Sequence, residues 1–200
     1  MKKIFLILTM LLTATLTAQT EFESFISEVK STNNPNEKSA IIDSFMTYAR
    51  TQGIPFIEDD TANFIFRGNA NSVNIAGDFN GWNPEEIDWL GATDFYYLSK
   101  KFELNARLDY KFVLNGNNWI LDPENPNTVM GGFGPNSELA MPEYKQPWEI
   151  ENYEDVTNGK IINSSINSEA VNRNYSLKIY LPPGYDSLSS EKYQTVYFQD

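Results

Sequence analysis

The chain has 200 residues, with 15 Lys and Arg against 27 Asp and Glu for a net charge of −12, and it contains neither cysteine nor histidine. So acidic a surface repels phosphate backbones and anionic membranes, which excludes nucleic acid as an expected partner and leaves neutral ligands such as sugars unpenalised. The two missing residue types exclude disulfides, thiol nucleophiles, thiolate zinc sites and any Ser-His-Asp triad drawn from these residues alone.

Met1-Lys2-Lys3, the apolar run Ile4–Leu12 and the Thr/Ala stretch to Ala18 read as a secretory signal peptide over residues 1–18. The run is too short to span a bilayer. Leu16 three residues before the cut leaves the exact cleavage point open. The alternative is a membrane anchor; the signal reading implies a periplasmic or extracellular protein with no membrane contact after cleavage. Residues 19–55 form a helical lead-in. Phe22, Phe25, Ile26 and Val29 recur at helical spacing within Glu21–Lys30, and Ile41, Ile42, Phe45, Met46 and Ala49 do so within Glu37–Gln52. Gly53 suits the position after a helix end, and Pro55 forbids continuation.

From residue 56 to 146 the texture changes to short alternating strands and turns. Expected strands are Ala62–Arg67, Val73–Ala76, Phe95–Leu104, Leu108–Leu114, Trp119–Leu121 and Ser137–Met141, with Asn125–Asn136 read as a Gly/Pro/Asn loop. By alternation Phe64, Phe66, Val73, Ile75, Tyr110 and Phe112 face the core. Gly77-Asp78-Phe79-Asn80-Gly81 is a turn that delivers Trp82, and Asn115–Asn118 is a second turn that delivers Trp119. Two strands ending in this way set two indoles on one rim. Asp78, Asp109 and Asp122 are conceivable metal ligands, but Asp78 and Asp122 stand beside Gly and Pro, where Asp ordinarily accepts from backbone N–H groups. No run has calcium-loop spacing, and no metal or other cofactor is expected. Ser164, Ser165 and Ser168 lack the Gly-x-Ser-x-Gly surroundings of a hydrolase nucleophile.

Gln146-Pro147-Trp148 marks a boundary, and residues 147–200 have a different pattern. Gly159–Ser168, Asn174–Leu181 and Thr195–Gln199 are strand candidates. Val196-Tyr197-Phe198 is continuously apolar, as in a strand covered on both faces. A best buried strand one residue from the end, at Asp200, leads us to expect a chain that continues beyond it.

Two resemblances cover nearly all of the mature chain. Val73–Trp82, Tyr110-Lys111-Phe112-Val113, Trp119, Asp122-Pro123 and Gly132 to Leu139 resemble the early-set, immunoglobulin-like carbohydrate-binding module of glycogen-branching enzymes and of the AMP-activated kinase β subunit. Tyr175–Leu181, Pro182–Asp186 and Val196–Asp200 resemble the start of the putative-esterase family of α/β-hydrolases, which includes enterochelin and feruloyl esterases, many with this module in front. The resemblances imply a mainly β fold. It is an immunoglobulin-like β-sandwich at 56–146, preceded by short helices and followed at 147–200 by the first strands of an incomplete α/β-hydrolase domain. They imply an exported serine esterase acting on carbohydrate-linked acyl or feruloyl esters or on a siderophore, with every catalytic residue downstream of Asp200. By the module's pattern Trp82, Lys111, Trp119 and Asn136 would contact a glucan or plant polysaccharide. The alternatives are a carbohydrate-binding or docking module without chemistry, and a structural spacer.

Overall fold

The computed structural model describes residues 19–151, 154–187 and 189–198, so the expected signal segment lies outside the described residues. The chain divides into two compact units, residues 1–145 and 146–200. It is mainly β, and among the described residues every strand pairing is antiparallel.

The first unit opens with α1 (Glu21–Ser31) and α2 (Pro35–Gln52). Every N–H of a helix's first turn needs a partner from outside the helix. In α1 the Thr20 hydroxyl accepts from Glu23 N–H and the Glu23 carboxylate accepts from Thr20 N–H, a reciprocal cap. The N–H groups of Glu21 and Phe22 donate to the Glu58 carboxylate at 2.7 and 3.1 Å. A residue 37 positions later therefore closes the helix end. In α2 the Asn34 side chain caps, Pro35 takes the first helical position and Gly53 ends the helix at φ 115°.

Ten strands follow: β1 (Phe56–Glu58), β2 (Thr61–Arg67), β3 (Val73–Gly77), β4 (Glu85–Glu86), β5 (Asp88–Trp89), β6 (Phe95–Lys101), β7 (Arg107–Leu114), β8 (Asn118–Ile120), β9 (Thr128–Gly131) and β10 (Gly134–Ala140). They form a four-stranded sheet, β1-β2-β6-β5, and a six-stranded sheet, β4-β3-β7-β10-β9 with β8 on β7. Between the sheets Phe64 and Phe66 of β2 meet Tyr110 and Phe112 of β7 edge to face, with ring centroids 4.9 and 5.6 Å apart. On the other side of the four-stranded sheet, Ile65 and Phe95 join the buried cluster of the helix pair. There Phe25 and Phe45 stack at 4.0 Å across the two helices. Strand β2 is thus buried on both faces, and the unit is three layers deep.

Three expectations change. The Asn125–Asn136 loop contains β9 and the first three residues of a longer β10, paired from Gly131↔Gly134 to Thr128↔Ser137. Its Gly, Pro and Asn content hides the strands because the ladder there is held by backbone, and Pro135 sits where β10 pairs only with β9. The two- and three-residue strands β1, β4 and β5 are too short to carry an alternation. In the second unit the expected strands Gly159–Ser168 and Asn174–Leu181 are present as β11 (Lys160–Ser168) and β12 (Arg173–Leu181), paired as an antiparallel hairpin from Lys160↔Leu181 to Ser168↔Arg173. Of Thr195–Gln199, expected as a doubly covered strand, Gln199 lies outside the described residues, and Val196, Tyr197 and Phe198 are exposed and form no strand. The segment finds no ladder partner among the described residues, and an unpaired run leaves its backbone groups and side chains to water.

One buried polar knot ties β7 and β10 to the loop after β8. The Tyr110 hydroxyl donates to Asp122 at 2.7 Å, Asn125 Nδ2 donates to the Tyr110 hydroxyl and to Glu138 O, and Asp122 N–H donates to Ser137 Oγ. Burial pushes the Asp122 carboxyl up from the ordinary 3.8 to about 6, against the opposing pull of its bonds from Tyr110 and the Glu124 amide. Burial also pushes the Tyr110 phenol well up, so it remains the donor. The folded state therefore keeps a proton on Asp122 that the unfolded chain releases, and stability falls as pH rises through this window. The expected outcome is that wild type loses about 3 kcal/mol relative to Asp122→Asn between pH ~4 and ~7 in urea unfolding; parallel pH profiles would contradict it.

Candidate functional site

Strand β7 lies inside the six-stranded sheet, with β3 on one edge and β10 and β8 sharing the other. Its alternation sends Tyr110 and Phe112 into the core, so Asp109, Lys111 and Val113 face outward. Register carries that outward face across the sheet. Lys111 stands opposite Ala76, Asp109 opposite Glu138, and Val113 opposite Trp119. Val113 is fully buried although it points away from the core, which fits cover by its cross-strand neighbour Trp119, itself 44% exposed.

Trp82 follows a single 3-10 turn, Asp78–Asn80, at the end of β3. Gly81 and Trp82 both have φ 61°, the left-handed region that a bulky side chain rarely enters. Trp82 N–H donates to Gly77 O at 2.9 Å and its indole Nε1–H donates to Asp78 Oδ1 at 3.0 Å. Backbone strain of this kind persists where the surroundings over-determine it. Here Asp78 does so, because its second oxygen accepts from Asp109 N–H at 2.8 Å. Gly77 permits the approach: a Cβ there would lie 2.5 Å from Asp109 O.

A chain of polar contacts continues across the face. Asn136 Nδ2 donates to Asp109 Oδ2 at 3.0 Å. Arg107 donates to Glu138 at 2.8 Å and lies 2.9 Å from Asp109 Oδ1, which is charge-compensated but accepts no hydrogen bond. Gly131, paired one strand out, leaves room for the Asn136 amide; a Cβ on Gly131 would come within 2.6 Å of its nitrogen. The structure thus brings Lys111, Trp119 and Asn136 onto one outward face and fastens Trp82 to it through Asp78. The two indoles make no ring contact with each other. Asp78 and Asp122 both accept backbone N–H groups, as their turn positions imply. Asp109 and Arg107, which join the elements, carry no signal in the sequence beyond charge on a strand. Among the described residues no group of acidic side chains is placed to hold a metal ion, and no helix is long and apolar enough to cross a membrane.

No family model matches the chain, and no curated protein matches it. Among solved structures it is similar to the ferric enterobactin esterase of Salmonella typhimurium, with 16% identity and TM-score 0.47 over 59% of this chain and 40% of that one. It is also similar to the enterobactin esterase of Shigella flexneri solved in the presence of enterobactin, with 18% identity and TM-score 0.43 over 58% of this chain and 38% of that one. The chain spans about two-fifths of the length of these structures.

Asp78→Ala removes the acceptor shared by the Trp82 indole and the β7 backbone. The expected cost is about 1–3 kcal/mol, with loss of the bonded Trp82 indole N–H signal by NMR. Gly131→Ala is expected to shift the Asn136 side-chain amide signal and to cost about 1 kcal/mol, since the amide must leave Asp109 and the Gly134 carbonyl, 3.2 Å from the new Cβ, must give slightly.

Proposed function

We propose that residues 56–146 are an immunoglobulin-like carbohydrate-binding module that presents neutral glycan to an exported serine carboxylic-ester hydrolase. The observation that carries this reading is the outward face of the six-stranded sheet, which Lys111, Trp119 and Asn136 share and to which Asp78 fastens Trp82. Sugar rings offer C–H faces that stack on indoles, and their hydroxyls require directional donors and acceptors. Lys111 and the Asn136 amide supply donors, Glu138 supplies an acceptor, and the negative net charge favours a neutral polymer over an anionic one. Glucan or plant polysaccharide is the ligand class. The esterase part begins in residues 147–200, supported by the β11–β12 hairpin and the Pro182–Asp186 turn, and it acts on carbohydrate-linked acyl or feruloyl esters or on a siderophore. Export follows from residues 1–18.

A second reading is a carbohydrate-binding or docking module without chemistry. It is favoured by the absence of histidine and of a Gly-x-Ser-x-Gly turn from this sequence.

Isothermal titration of the 200-residue chain with maltoheptaose and with xylohexaose tests the binding face. Saturable heat is expected with one of them, weakened roughly tenfold by Trp119→Ala or Lys111→Ala. A flat titration with unchanged tryptophan fluorescence would remove the binding assignment. The same preparation is expected to leave 4-nitrophenyl acetate and methyl ferulate unhydrolysed above the buffer rate; measurable turnover would place a nucleophile within these residues.

A further inference from the structure

Trp89 is the most exposed tryptophan of the first unit, at 57%, yet it is held in place. It ends β5 opposite Tyr96 in the ladder, with the two rings 26° apart and centroids 6.5 Å from each other. Its indole Nε1–H donates to Thr93 O at 2.8 Å, and the Tyr96 hydroxyl donates to Ala70 O at 2.6 Å. With both polar edges satisfied inside the protein, the exposed part of the indole is apolar surface in fixed orientation. Nothing in the six-stranded sheet's outward face uses it, since β5 is the edge of the other sheet.

Two clefts of about 560 and 390 Å³ share Trp89 and Tyr96 as walls, within the range of small-ligand sites. The smaller is lined otherwise by uncharged groups, including Asn69, Asn71, Thr93 and Asn115. The larger adds Ser72 and the carboxylates of Glu86 and Asp88. Asn115, in a left-handed turn at φ 52°, spends its Oδ1 on the N–H groups of Asn71 and Ser72 and so shapes the loop. The side-chain amides of Asn69 and Asn71, and Nδ2 of Asn115, make no hydrogen bond to another described residue. An immobilised indole bordered by unspent amides and the Ser72 hydroxyl matches a molecule with a C–H face and many hydroxyls. Neither cleft is lined by Lys or Arg, which excludes anionic ligands.

We infer that the Trp89 edge of the four-stranded sheet is a second binding site, taking a neutral oligosaccharide stacked on Trp89 and hydrogen-bonded by Asn71 and Asn115. It goes beyond the face proposed above and stands independently of it. The amide and hydroxyl groups fix orientation, and the indole supplies the apolar contact.

Wild type, Trp89→Ala, Asn71→Ala and Trp119→Ala are titrated with maltoheptaose, xylohexaose and the cationic hexamer of glucosamine, followed by calorimetry and by the tryptophan indole N–H signals. A neutral oligosaccharide is expected to shift the Trp89 signal. Trp89→Ala and Asn71→Ala are each expected to weaken that binding, roughly tenfold for the former, while Trp119→Ala leaves the Trp89 shift intact. The Asn71 side chain holds nothing in the fold, so loss of binding there is not loss of structure. Neutral sugars that shift only Trp82 and Trp119 signals would overturn the second site and leave the first standing. Shifts only at Trp89 would do the reverse, and a response to the glucosamine hexamer alone would overturn the neutral ligand class.

Discussion

Strict alternation along β7 is the constraint on which both the core and the candidate face depend. Tyr110 and Phe112 cannot enter the space between the sheets unless Asp109, Lys111 and Val113 point the other way. A slip of one residue would bury a lysine and an aspartate and expel two aromatic rings. The inter-sheet ring contacts to Phe64 and Phe66 therefore set the register of the outward groups. Packing on one side of the strand acts as a positioning device for polar chemistry on the other.

The polar groups of the six-stranded sheet reinforce that geometry from both sides. Behind β7, the Tyr110 hydroxyl anchors Asp122 and Asn125, fixing the loop that leads from β8 to β9. In front, Asp78 holds the strained Trp82 turn against the Asp109 backbone, and Asp109 receives Asn136. These groups are satisfied with few exceptions, so the face is held in one arrangement by the protein's own contacts. The helix pair occupies the far side of the other sheet with a purely apolar cluster. Adhesion there combines this cluster with polar ties at its rim, from Glu58 to the first amides of α1 and from Arg67 to Asp43.

Much of this was legible in the residues themselves. Both long helices and strands β2, β3, β7, β11 and β12 follow from apolar periodicity and from Gly, Pro and Asn punctuation. The outward direction of Lys111 follows from its aromatic neighbours. What pattern cannot convey is pairing. Strands β9 and β10 are recruited by their neighbours' backbone groups, and Ile65, which reads as the polar-side position of an alternating strand, is buried because two helices cover it. The Trp89 clefts were equally silent, since Trp89, Asn71 and Asn115 come together only when β5 pairs with β6 and the loop before β3 folds onto the turn after β7. The apolar run Val196–Phe198 erred in the opposite sense: hydrophobicity expresses a capacity to be covered, and here nothing among the described residues covers it.

The carboxylate of Glu58 on the first amides of α1 makes the helix and the sheet edge answerable to each other. Fraying of α1 would strip two N–H groups of their acceptor while withdrawing Phe22 and Phe25 from their ring neighbours, and loss of β1 would leave the helix uncapped. Amide protons of the leading helix should then exchange with solvent in step with those of the four-stranded sheet, as members of one melting unit. A segment that looks on paper like a detachable preface is thus bound into the cooperativity of the domain it precedes.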